Sequence, residues 1–216
     1  MGAMRKVVGS IVSMDERVPL DDLAQGLDWV RWMLRSVRHR CEGVVLERPD
    51  ASAEIRLLWR GFVQNRFEAN LGRVLIGAWQ ASADGDMRRL IELEAEWAWH
   101  LSDDELERSI AAGRLLLSST RGARYQGALG HLREAVDEGR AKGIIGVVWP
   151  AVAHLFQLTP AALLAEYLRL EWETATRDLY GVNEPRLTYS IPSVVSRVLN
   201  AGAADEPRVL RRRAMP

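Results

Sequence analysis

Between Lys142 and Glu166 the chain carries no formally charged side chain, and this run from Gly143 to Ala165 restricts the possible folds more than any other feature. An uncharged stretch of that length either crosses a bilayer or is buried inside a protein. Pro150, His154, Gln157, Thr159 and Pro160 interrupt it. Thr159-Pro160 has the form of an N-cap followed by proline at the first helical position, so the run divides into two buried helices rather than one membrane span.

The rest of the chain is patterned in the same helical way. Leu20, Leu23, Leu27, Val30, Leu34, Val37 and Cys41 alternate three- and four-residue steps and form one apolar stripe. Asp21, Asp22 and Asp28 come early in that segment and Arg35, Arg38 and Arg40 late, a gradient that suits the helix macrodipole. A second helix is predicted over Ser52 to Gln80, with Ile55, Leu58, Phe62, Leu71, Leu75 and Ala78 inward and weak points at Gly61, Gly72 and Gly77. Asp84-Gly85-Asp86 is a turn that opens an acidic helix through His100, with Leu90, Ile91, Leu93 and Trp97 buried. Ser102 and Glu105 match a capping box, and the helix they start runs through Leu117 on a stripe of Leu106, Ile110, Gly113 and Leu117. Further helices are predicted at Ala123 to Glu138, Ile144 to Gln157, Pro160 to Tyr180 with Gly181 as C-cap, and Pro192 to Leu199.

No segment alternates as a strand would, and the expectation is an all-α, single-domain bundle of about eight helices. Residues 1–18 form an N-terminal segment in which Met1-Gly2-Ala3-Met4 reads as a cloning scar without a secretory signal. Residues 19–200 make the helical domain, and 201–216 a mobile tail with Arg211, Arg212 and Arg213 together. At 216 residues and 48% apolar content the chain has ample material for a core.

Charge and cysteine content remove several functions. Twenty-nine basic and 29 acidic side chains balance, so no global field draws the chain to nucleic acid or anionic lipid. The balance is an average: Asp84 to Arg108 is acidic, whereas Arg31 to Arg40 and Arg208 to Arg213 are basic, a pattern that suits docking to other proteins. The single cysteine, Cys41, forms no intramolecular disulfide and no thiolate cluster, which fits a cytoplasmic protein.

Catalytic signatures are missing too. No glycine-flanked serine follows a strand, and Cys41 lies on the apolar stripe of the first helix, where burial is the preferred reading over catalysis. Glu96 and His100 are four residues apart without a second such pair, His131 and Glu134 stand in the reverse order, and His154 sits in an apolar helix, so no metal centre is expected. A phosphate-binding loop is absent, since Gly143-Ile144-Ile145-Gly146 lacks a following lysine. The chain is therefore read as a non-enzyme without a cofactor. Eight tryptophans favour interfaces as much as core edges.

Four patches, in order, resemble the urease accessory protein F family, helical scaffold subunits used in loading nickel into urease. They are Pro19 with Gln25-Gly26-Leu27-Asp28-Trp29, Ala83-Asp84-Gly85-Asp86 leading to Leu90 and Leu93, and Asp104-Glu105-Leu106-Glu107-Arg108 with Gly113-Arg114-Leu115-Leu116-Leu117. The last is Val147 to Leu158 followed by Ala161 to Leu168 and Arg177. The chain departs from the family at Leu20-Asp21-Asp22-Leu23-Ala24, where an aromatic, serine-containing entry is usual, and at Ile145-Gly146, where a His-Pro pair is usual.

The resemblance implies a chaperone of metalloenzyme maturation that forms a homodimer, binds a second accessory subunit, and meets a nickel-delivering maturation GTPase beside the apo-metalloenzyme. Gly26, Asp28, Trp29, Gly113, Arg114, Tyr167 and Arg177 are its interface or structural candidates, none with a chemical step. Two other classes compete: a ligand-binding or regulatory module with an apolar pocket between the Trp97 and Trp149 helices, and a bundle enzyme using Glu96 and His100 on a metal.

Overall fold

The computed structural model describes residues 20–41, 43–51, 53–120, 127–179 and 191–201, with the side chains at 20–27, 29 and 39 outside that description. Expectations for 1–18, for Gly181 and for the tail beyond 201 fall outside the described residues. The helices are α1 (Leu20–Arg40), α2 (Ile55–Gly61), α3 (Gly72–Asp84), α4 (Met87–Ala98), α5 (Asp103–Ser119), α6 (Ala128–Asp137), α7 (Ile145–Leu155) and α8 (Pro160–Ala175). A π-helical segment, Phe62–Leu71, joins α2 to α3, and a further helix covers 191–201. The fold is an all-α, single-domain bundle, with no strand among the described residues.

The uncharged run lies at the centre. Every residue from Ile145 to Ala153 is buried, and α7 makes its broadest contacts with α3 and α5, flanked by α4 and α6. A helix apolar on all sides is stable only where other helices enclose it. Pro150 does not interrupt it; α7 continues through that residue and stops at Gln157, a left-handed residue at φ 56. The Leu158 N–H then donates to Ala153 O and the Gln157 N–H to His154 O, a Schellman termination. Thr159 caps α8 by accepting the Ala162 N–H at 3.3 Å.

The long second helix exists as one continuous path with a change of winding, and the change falls between Gly61 and Gly72. Phe62 and Phe67 lie five residues apart, and an α-helix would splay them about 140° around its axis. The wider π turn brings both inward, with ring centroids 6.2 Å apart. Gly72 is required by packing, since a Cβ there would stand 2.6 Å from Val198 of the helix at 191–201.

Several boundaries and one face differ from the sequence reading. Helix α8 ends at Ala175, not Tyr180, because Thr176 takes the C-cap and the chain turns toward α1. Helix α6 starts at Ala128, after Gly127 at φ 82 breaks helical geometry, and the expected start at 123 lies outside the described residues. On α5 the buried face is Glu105, Ser109, Ala112, Gly113, Leu116 and Leu117, whereas Leu106 and Ile110 are only half-buried. The capping box that starts α5 turns Glu105 inward and sets this rotation.

Candidate functional site

Three buried glutamates organise the non-helical parts of the molecule. Glu94 of α4 accepts the backbone N–H groups of Lys142, Gly143 and Ile144 at 2.6, 2.7 and 2.9 Å. Helix α7 has Ile144 at its N-cap and no capping side chain of its own, so Glu94 supplies the missing acceptor and a negative charge at the positive end of the helix. Across the same 141–144 strap lies Gly113, whose added Cβ would stand 2.0 Å from Gly143 O. Its neighbour Arg114 donates from Nε to Lys142 O at 3.2 Å. These two residues thus fix the strap from α5 while Glu94 fixes it from α4.

Glu171 of α8 does the same for residues 45 and 46, accepting the Val45 and Leu46 N–H groups through Oε2 at 3.1 Å each. Tyr167, one turn earlier, is fully buried and near enough to Glu171 to influence its charge, but among the described residues Tyr167 Oη and Glu171 Oε1 have no well-aligned hydrogen-bond partner. Burial pushes the Glu171 carboxyl above its ordinary range, against the pull of the two backbone donors and Tyr167, and the Glu105 charge adds to the rise. Burial likewise holds the Tyr167 phenol well up, with the Glu171 charge adding to it. Arg177 donates to Arg38 O and Cys41 O, closing the C-terminal end of α1. The buried Cys41 thiol is pushed up by burial, and the Arg177 charge offsets part of that rise.

Glu105 closes the capping box with Ser102 and forms an ion pair with Arg66 of the π segment at 2.9 Å. The outer side of the α4–α5 corner carries a groove of about 640 Å³. Apolar Ile91, Ala98 and Leu106 line it together with the charged Asp103, Arg140 and Lys142. Trp99 lies along it with 89% of its surface exposed.

The residues expected from sequence separate into different environments. Gly113 and Tyr167 are buried, and Arg177 is occupied at the α1 terminus. Asp28 is exposed and lies 3.8 Å from Arg31. Gly26 lies within α1, and the Trp29 side chain is outside the described residues. Glu96 pairs with Arg89 at 2.9 Å rather than meeting His100, and the His154 ring stands edge-on to Trp79. Among the described residues no three His, Cys, Asp or Glu side chains converge as a metal site. The space between the Trp97 and Trp149 helices is packed, because Gly146 lies against the Trp97 ring, with an added Cβ 3.1 Å from it.

Glu94, Glu171 and the groove beside Trp99 are what sequence reasoning missed, while the sequence marks Glu105 as a capping residue but not as a buried one. The signal was present for Glu94, since Leu90, Leu93, Glu94 and Trp97 occupy one helical stripe.

The fold defines a class, an all-α helical domain whose straps are held by buried carboxylates. Within that class no protein-family model matches the chain, and neither curated proteins nor solved structures give a significant match. No helix among the described residues is long and apolar enough to cross a membrane.

Proposed function

We propose that this chain is a scaffold of the urease accessory F type, assisting nickel metallocentre assembly through contacts with a maturation GTPase and a second accessory subunit. The observation that carries the reading is Trp99, an almost wholly exposed tryptophan along a groove of mixed apolar and charged lining. Tryptophan is among the residues most enriched where protein interfaces concentrate their binding energy. The Gly113-Arg114 pair of the resemblance packs against the strap at that groove's edge. Their role in this reading is to keep the docking surface rigid.

The test is co-elution of the full chain with a urease-type accessory subunit and a GTP-loaded maturation GTPase at micromolar concentration. A larger complex is the expected result, with Trp99→Ala weakening it by about tenfold or more. No complex with cognate partners would overturn the reading. A second reading, a ligand-binding module, draws on an apolar cavity of about 530 Å³ between α8 and the helix at 191–201, lined by Ala161, Ala165, Ile191 and Val195. Saturable binding of a small apolar ligand without a protein partner would favour it.

A further inference from the structure

Helices α1 and α8 pack along a ladder of charged side chains whose middle rung is mismatched. Arg31, Arg35 and Arg38 share one face of α1, and Glu166, Arg169 and Glu173 share one face of α8. The first rung joins Arg31 to Glu166 at 3.7 Å, and the last joins Arg38 to Glu173 in a close ion pair. Both rungs advance seven residues along each helix, which sets Arg35 level with Arg169 and Leu170.

Two guanidinium groups therefore share the level where complementarity calls for an acid. Arg169 reaches back to Glu166 at 3.0 Å, and Arg35 has no hydrogen-bond or ion-pair partner among the described residues. A polar cavity of about 240 Å³ opens at this level, lined by Arg31, Arg35, Glu166, Arg169 and Glu173. Four guanidinium groups face two carboxylates here, and exposed Asp28 beside Arg31 leaves a surplus of at least one positive charge. Glu166 is buried and holds Arg31 and Arg169 through the same oxygen, so both cations are positioned before anything binds.

We propose that this cavity is an oxyanion site, in which Arg35 and Arg169 take the oxygens of a phosphoryl or carboxylate group. The guanidinium fork matches such groups with paired, charge-assisted hydrogen bonds. The site lies on the α1–α8 seam and does not depend on the scaffold reading, so either can fail alone.

The test follows the arginine Nε–H resonances of the full-length protein by NMR during titration with inorganic phosphate and, separately, with glutarate. Sodium chloride at matched ionic strength is the reference. The expected result is a saturable shift at Arg35 and Arg169 with one or both anions, and the anion that saturates identifies the source as phosphoryl or carboxylate. Arg35→Met, which leaves both closed rungs intact, weakens binding at least about fivefold. Arg35→Glu supplies the missing acid and abolishes the response, while Arg88→Met, on exposed α4 surface, leaves it unchanged. Shifts that follow ionic strength alone, or binding by Arg35→Met as tight as that of the parent chain, would overturn the proposal.

Discussion

Gly113 and Gly143 meet backbone to backbone, so close that a single methyl group on Gly113 would stand 2.0 Å from Gly143 O. The obstacle is main chain and not the end of a flexible side chain, so relief requires moving the strap that begins α7. Gly113→Ala is expected to cost about 3 kcal/mol, the upper part of the usual overpacking range. Urea denaturation measures the loss, and faster amide exchange at Lys142 to Ile144 locates it. A midpoint unchanged from the parent chain would show that the strap yields freely.

Glu94→Gln tests the other side of the strap. The carboxylate accepts three backbone donors, whereas an amide offers one carbonyl oxygen and turns an NH₂ group toward donors it cannot accept from. The expected loss is about 2–3 kcal/mol, from charge-assisted hydrogen bonds weakened inside the core. Loss of the same size in Glu92→Gln, whose carboxylate is half-exposed on the outer face, would argue that general charge and not capping is responsible.

These two positions also show what local pattern can and cannot reveal. The later half of the α1 stripe from Val30 to Cys41, the Ser102 capping box, the Thr159-Pro160 start and the division of the uncharged run were legible because each depends on residues within one or two turns. Gly61 and Gly72 marked where the second helix changes winding, but the π turn itself follows from aromatic packing of Phe62 and Phe67. The buried glutamates sit among acids that resemble a solvated face, and their partners are remote. Glu94 meets residues 48 to 50 positions away, and Glu171 meets residues 125 and 126 positions away. Such contacts decide burial only after the chain is folded. The charged ladder was visible only as a basic segment, because the acids that close two rungs and the arginine that mismatches the third belong to a distant helix.

Three helices end in the same way, and one of them uses the wrong residue for it. Gly85 and Gly139 occupy the left-handed position after α3 and α6, and Gln157 occupies it after α7. A left-handed residue with a Cβ costs about 1–2 kcal/mol. Gln157→Gly is therefore expected to stabilise by up to about 1 kcal/mol after the added flexibility of the unfolded chain is subtracted. Gly139→Ala, where no atom lies within 4 Å of the added Cβ, is expected to destabilise by a similar amount through conformation alone. Thermal unfolding of the pair should move in opposite directions.

Glu171 gives stability a pH dependence whose sign follows from its burial. Its carboxyl titrates above the ordinary value of 4.5 in the folded protein, so the unfolded chain releases the proton first as pH rises. Below the ordinary value the acid is protonated in both states, and its favourable contribution is fully present. Between the ordinary and the raised value that contribution is lost, at no more than about 1.4 kcal/mol per pH unit. Glu171→Gln keeps a carbonyl for the Val45 and Leu46 N–H groups and directs an amide toward Tyr167 Oη, but has no proton to release. Stability of the variant relative to the parent should therefore increase from pH 4.5 upward and then level off, measured by urea denaturation at a series of pH values. A relative stability that falls over this interval would mean that the two backbone donors outweigh burial and hold the buried carboxylate ionised.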